Sequence, residues 1–252
     1  MLTVVDVRCA SSLRLQFRAV DLPCRDLRES AVLVLLLISA LLGKALSPEA
    51  RTRLAPFTAA VNEARSTFLA LGPEAPVKAR LEAMRTLDQR PITIANHEID
   101  LSDLTPEDQA AARTIMSAEI KALGAENVSA LVSMVPTEGW FSSKTYGQQA
   151  ATGAFLIVQH ADTPLQKRFL PAIETMAQRN EALWSEYALM YDRIAVAEGR
   201  LQRYGTQMHC VAGKMTPQPT EEPDQLEVRR APMGFRWPDY AGYLANFGAC
   251  SN

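Results

Sequence analysis

Apolar side chains recur at three- and four-residue intervals along most of the chain, the period of helices that bury one face. Ser47-Pro48-Glu49 reads as a helix start, with a hydroxyl cap, proline at the first helical position and an acidic residue behind it. Leu54, Phe57, Val61, Phe68 and Leu71 then mark one face as far as Gly72-Pro73. A second helix is predicted from about Pro76, with Val77, Leu81, Met84 and Leu87 on one side, and the pair forms an antiparallel hairpin. Residues 91–104 read as irregular. Thr105-Pro106-Glu107-Asp108 opens the next helix and Gly124 is expected to close it. Ala150 to Val158 is small and apolar throughout, as in a helix packed closely on its neighbours. Asp162-Thr163-Pro164 caps a helix that Pro171 should kink or break. From Asn180 a further helix shows Leu183, Trp184, Tyr187, Met190, Tyr191 and Ile194, and Gly199 ends it. Arg200 to Pro223 reads as a long loop, and Pro223 and Pro238 each begin a short closing helix. No strand-like alternation persists beyond four residues and no repeat is present. The fold class is therefore all-α: a single compact multi-helix domain with an N-terminal helical hairpin and a long irregular loop before the closing helices.

The run Ala31–Gly43, AVLVLLLISALLG, breaks the periodic pattern, with Ser39 its only polar side chain. A membrane span needs roughly 20 apolar residues, so this run is short for one and suits the core of a secretory signal. Arg25 and Arg28 precede it, and Gly43-Lys44-Ala45 offers small residues where a signal is cut. Export to the periplasm or medium is expected, leaving no stable membrane span after cleavage. Residues 1–30 have no periodicity and mix five Arg with four acidic residues, which suggests translation from an alternative codon near residue 27. The expected organisation is an upstream segment and signal over 1–45, a hairpin over 46–84 and an all-α domain over 85–252.

Composition is ordinary for a globular protein, at 48% hydrophobic and 21% charged residues. Twenty-six basic residues against 28 acidic ones give a net charge of −2 with no basic stripe, which disfavours nucleic acid as a partner. Cys210 and Cys250 remain after the expected cut and are a disulfide candidate in an oxidising compartment, or else two separate thiols.

His97, His160 and His209 lack the close partners of a zinc site, and no nucleophile elbow or phosphate loop is present, so neither metal nor cofactor is expected. The suggestive chemistry lies in two stretches, IVQHAD at 157–162 and YGTQ at 204–207. His160 beside Asp162 is the minimum for general-base work, although Asp162 also suits a helix cap. Catalytic candidates are His160, Asp162 and Asp192; ligand-binding candidates are Gln159, His160, Arg193, Tyr204, Thr206 and Gln207. The YGTQ loop is expected to fold over the end of the IVQHAD helix, turning at Gly205 and presenting Tyr204 and Gln207 to His160. Asp192 or Arg193 would then form a charged wall. Such a site would bind or act on a small anionic ligand, which Arg193, Arg229 or Arg230 would favour. The same residues would alternatively form a buried hydrogen-bond network in a non-catalytic helical module.

The ordered set IVQHAD, YDR, EG-x-LQ-x-YGTQ and a late Arg229-Arg230 resembles the bacterial family called domain of unknown function 6624. The resemblance starts near Leu87-Asp88-Gln89-Arg90, includes Gly139-Trp140 and reaches Tyr243-Leu244. It implies that these polar residues belong to one unit, and it names no substrate. Phe141 departs from the pattern, which continues Gly-Trp with Pro.

Overall fold

The computed structural model describes residues 46–250 apart from Pro238; the signal and upstream segment expected over 1–45 lie outside the described residues. Nine α-helices and one small hairpin are present among the described residues: α1 (Pro48–Leu71), α2 (Val77–His97), α3 (Pro106–Ser133), α4 (Ser143–Tyr146), α5 (Gln148–Gln159), α6 (Thr163–Gln178), α7 (Trp184–Ala197), β1 (Met208–Val211), β2 (Lys214–Pro217), α8 (Leu226–Arg230) and α9 (Tyr240–Leu244). The fold is all-α with a two-stranded appendage. No described helix is long and apolar enough to cross a membrane.

Local chemistry accounts for the helix starts. The Ser47 hydroxyl accepts from the Ala50 amide at 3.1 Å, Thr105 from Asp108 at 3.2 Å and the Asp162 carboxylate from Leu165 at 3.0 Å, each with a proline in the next two positions. Each cap is worth about 1 kcal/mol. Helices α1, α2 and α3 bury Leu54, Phe57, Leu87, Ile94, Met116 and Leu123 together. A second cluster joins Leu81 and Met84 of α2 to Phe155, Val158, Ile173 and Met190 of α5, α6 and α7. Helix α2 thus belongs to both clusters, and residues 84 and 85, where hairpin and main domain were expected to meet, lie inside it. Trp140 and Phe141 are fully buried, and Phe141 packs edge-on against Trp140 and Tyr146.

Several elements differ from the expectation. Helix α2 runs through Pro91 to His97, because Pro91 and Ile94 are buried on the same side as Leu87. Helix α3 passes Gly124 to Ser133, since its buried face continues through Asn127 and Leu131, and Asn127 Nδ2 donates to the Met84 carbonyl at 3.2 Å. Helix α6 is continuous through Pro171. Asn180 does not start α7; at φ 55° it takes the left-handed turn that ends α6, and α7 begins at Trp184. The expected long loop contains the β1–β2 hairpin, closed by Ala212-Gly213 at φ 49° and 81°, the two positive values a tight hairpin turn requires. Its strands have four residues each, too short for alternation to stand out.

Candidate functional site

Asp192 sits on α7 with no exposed surface, and the chain returns over it after Gly199. Its carboxylate accepts from the amides of Arg203 at 2.7 Å, Tyr204 at 3.0 Å and Thr206 at 2.9 Å, and from the Thr206 hydroxyl at 3.0 Å. Burial pushes the Asp192 carboxyl up, and these donors oppose the shift. The carbonyls of the same loop are held from the other side: Arg230 donates to Tyr204 at 2.7 Å and the Tyr243 hydroxyl to Thr206 at 2.8 Å. Gly205 permits the turn at φ 67°, and the Tyr240 ring lies so close that a Cβ there would come within 2.9 Å of it. The Arg230 guanidinium stands 4.4–5.0 Å from the ring centres of Phe235, Tyr243 and Tyr240, a cationic plug in an aromatic cage. Burial lowers the pKa of Arg230 and raises that of Tyr243 to about 12. Fully buried Gln202 completes the lock, accepting from the Gln207 amide at 2.8 Å and donating to the Gln218 carbonyl at 2.6 Å.

His160 stands at the C-terminal end of α5, with its side chain about one-third exposed. Its Nδ1 lies 3.0 Å from a carboxylate oxygen of Asp88 on α2, and Gln89 Nε2 donates to that same oxygen at 2.6 Å. The Asp88 side chain is itself buried, 4% exposed. Two features bring the pair together. Gly153 lets α5 lie directly on α2: a Cβ there would meet the Arg85 Cβ at 2.9 Å and the Leu81 carbonyl at 3.0 Å. Gln166, 3% exposed, donates to the carbonyls of Gln159 and Ala161, both at 2.9 Å, and so clasps the turn on either side of His160.

Asp162, expected as the carboxylate partner of His160, instead caps α6, and Asp88 takes the partner's place. Tyr204, Thr206 and Gln207 make no hydrogen bond to His160 among the described residues. Gln207 Nε2 turns to the Thr206 hydroxyl at 2.9 Å and to the Leu189 carbonyl of α7 at 3.5 Å. Of the expected set, then, Asp192, Tyr204, Thr206 and Gln207 come together, while Gln159 and His160 form a second group.

Arg193 follows Asp192 on α7. Helices α5 and α7 run in the same direction: Gln148 and Trp184, at their starts, line one cavity of about 260 Å³, and Thr152 donates to Glu186 at 2.7 Å a turn further on. Their far ends both flank the start of α6, Gln159 through Gln166 and Glu198 through Lys167 at 2.6 Å. Arg193 is seven residues beyond Glu186, and Gln159 seven beyond Thr152. Seven residues are almost two full turns, so Arg193 shares the stripe of α7 that carries Glu186, and Gln159 the stripe of α5 that carries Thr152. Arg193 Nε is buried without an acceptor, and among the described residues the guanidinium has no carboxylate partner. Burial alone lowers its pKa.

Residues 92–246 match the family of unknown function DUF6624. The chain belongs to this family. No curated protein and no solved structure matches it. The segment matched to DUF6624 holds His160, Arg193 and the whole loop lock, whereas Asp88 lies just before it. Asp88 was absent from the expected site. Its signal was a carboxylate on the apolar stripe of Leu81, Met84 and Leu87, where α2 turns inward. Buried Gln166 was also missed; buried Gln202 stands in the EG-x-LQ-x-YGTQ pattern, but its role in holding the loop was not read from it. Arg229 donates to the Arg203 carbonyl at 2.8 Å and Arg230 to the Tyr204 carbonyl at 2.7 Å from within its cage, so both hold the loop, while Nε and Nη2 of Arg230 are buried without an acceptor. Among the described residues no three His, Cys, Asp or Glu side chains gather as a metal site requires.

Proposed function

We propose that this DUF6624 member is an exported protein that binds a small anionic ligand at the shared end of α5 and α7, with Arg193 as the anchor. The observation that carries the reading is the half-buried guanidinium itself, without a carboxylate among the described residues and with a buried Nε–H that has no acceptor. An uncompensated buried donor costs about 1–3 kcal/mol, and the carboxylate or phosphate oxygens of a ligand would remove that cost. Gln159 and His160 stand at the same end of the bundle and supply further polar contacts. Export is supported by the signal-like run Ala31–Gly43 and by Cys210 and Cys250, whose Cα atoms are 5.9 Å apart in a disulfide. Calorimetry and thermal shift with inorganic phosphate, sulfate and small dicarboxylates test the binding, since a ligand of the native state raises its melting temperature. A shift that Arg193→Gln abolishes is expected; no shift with any of these anions would overturn the reading. Mass spectrometry of protein from the native host tests export, with cleavage after Ala45 expected and an intact residue 1–45 segment counting against it.

A second reading, a structural module without a ligand, draws on a different observation: Asp192, Gln202 and Thr206 have hydrogen-bond partners inside the fold. These residues serve as a loop lock under either reading. The two readings separate at Arg193 and His160.

A further inference from the structure

The caged guanidinium of Arg230 can be accounted for edge by edge. Nη1 donates to the Tyr204 carbonyl at 2.7 Å. The ring centres of Phe235, Tyr243 and Tyr240 stand 4.4, 4.8 and 5.0 Å from Cζ. Nε and Nη2 are buried and meet no acceptor among the described residues, on a side chain whose residue is only 2% exposed. These two N–H groups project side by side from one edge, the fork that holds one anion on two parallel hydrogen bonds. Both belong to one rigid planar group, so a single ligand atom reaches them together. Charge points the same way. Two carboxylates act on Arg230 through space, and both are engaged elsewhere. Asp192 accepts from three loop amides and the Thr206 hydroxyl, and Glu227 accepts from the Tyr240 amide at 2.7 Å. The Tyr240 hydroxyl, on the ring 5.0 Å from Cζ, is also buried without a partner. We propose that this cage is an internal anion site, separate from the one at Arg193, which takes a small monovalent anion of the halide class on the Nε–Nη2 edge. A water molecule would satisfy the two donors and leave the buried charge without a counter-ion. Enclosure by three rings favours an occupant of one or a few heavy atoms, and the buried Asp192 carboxylate disfavours a second negative charge.

Thermal melting of the purified chain in sodium chloride and sodium bromide tests the site, with ionic strength held constant by gluconate, an anion too large for the cage. A melting temperature that rises with the logarithm of halide concentration is expected, since the anion binds only the native state. The response should persist in Arg193→Gln, which lacks the anchor of the other site. Arg230→Lys keeps the charge but presents no parallel fork, and should weaken halide binding on the order of tenfold or more. Should Arg230→Lys fail to fold, diffraction at the bromine absorption edge from wild-type crystals grown in bromide decides. A peak within hydrogen-bond range of both Nε and Nη2 is expected there. No peak at that edge, or no halide response in the wild type, overturns the site. A response that Arg193→Gln loses and Arg230→Lys retains belongs to Arg193 and refutes it equally. A bromide peak without the response in solution marks an adventitious ion only, and it too counts as refutation.

Discussion

Gly153→Ala sets two known magnitudes against each other. Alanine in place of glycine within a helix contributes about 1 kcal/mol from backbone entropy, so an unobstructed substitution in α5 should stabilise the protein. The added methyl group, however, would lie 2.9 Å from the Arg85 Cβ and 3.0 Å from the Leu81 carbonyl oxygen. Neither atom is the free end of a flexible side chain. Carbon atoms pack at about 3.5–4.0 Å, so α2 and α5 must part by roughly half an ångström. Forcing a methyl group into such a contact costs about 1–3 kcal/mol, which outweighs the helix gain and leaves a net loss of up to about 2 kcal/mol. The same displacement acts on the 3.0 Å contact between His160 and Asp88 and takes it to the edge of hydrogen-bond range. Urea denaturation followed by circular dichroism measures the first effect, and nitrogen-15 spectra of His160 the second. A variant stabilised by about 1 kcal/mol with an unchanged imidazole signature would show that Gly153 sets neither the helix spacing nor the pair.

Asp192→Ala should cost about 3–5 kcal/mol, since it strips buried loop amides of a charged acceptor; hydrogen exchange at Arg203, Tyr204 and Thr206 should accelerate, and unchanged protection would refute the lock. Cys210→Ser opens a covalent loop of 40 residues and should remove about 4 kcal/mol by the chain-entropy relation, read as a lower denaturation midpoint. Burial raises the pKa of Glu186 above its ordinary 4.5, so its contribution is complete below that value and is lost as pH rises through the folded one. Glu186→Gln keeps an acceptor for Thr152 and should gain stability relative to wild type with increasing pH; a pH-independent difference in urea midpoints would contradict this.

Much of the fold was legible because the signals are local. Ser47, Thr105 and Asp162 each announce a helix through a cap followed by proline, and all three act as caps. Where the reading failed, tertiary contacts overrode a local rule. Asn127 hides the buried stripe of α3 because an amide reads as polar until its partner, the Met84 carbonyl, is known. Pro91 and Pro171 suggest breaks, yet buried neighbours on both sides keep α2 and α6 continuous. The site divides in the same way. Asp192 and the loop at 203–206 are only 11–14 residues apart and share one motif, so their association could be anticipated. Asp88 is 72 residues from His160, and nothing in either local stretch points to the other.

The loop lock also has a direction in time. Asp192 reaches its amides across 11–14 residues, Arg230 reaches the Tyr204 carbonyl across 26, Tyr243 reaches Thr206 across 37, and the disulfide spans 40. Short separations close first, and a chain emerging from its N-terminus has Asp192 and the loop available before Arg230 or Tyr243 exists. By loop-closure entropy the amide side of the loop therefore costs less to close than the carbonyl side. A chain shortened to end between residues 207 and 229 would keep the Asp192 side of the lock and lose both donors, Arg230 and Tyr243, from the Tyr204 and Thr206 carbonyls.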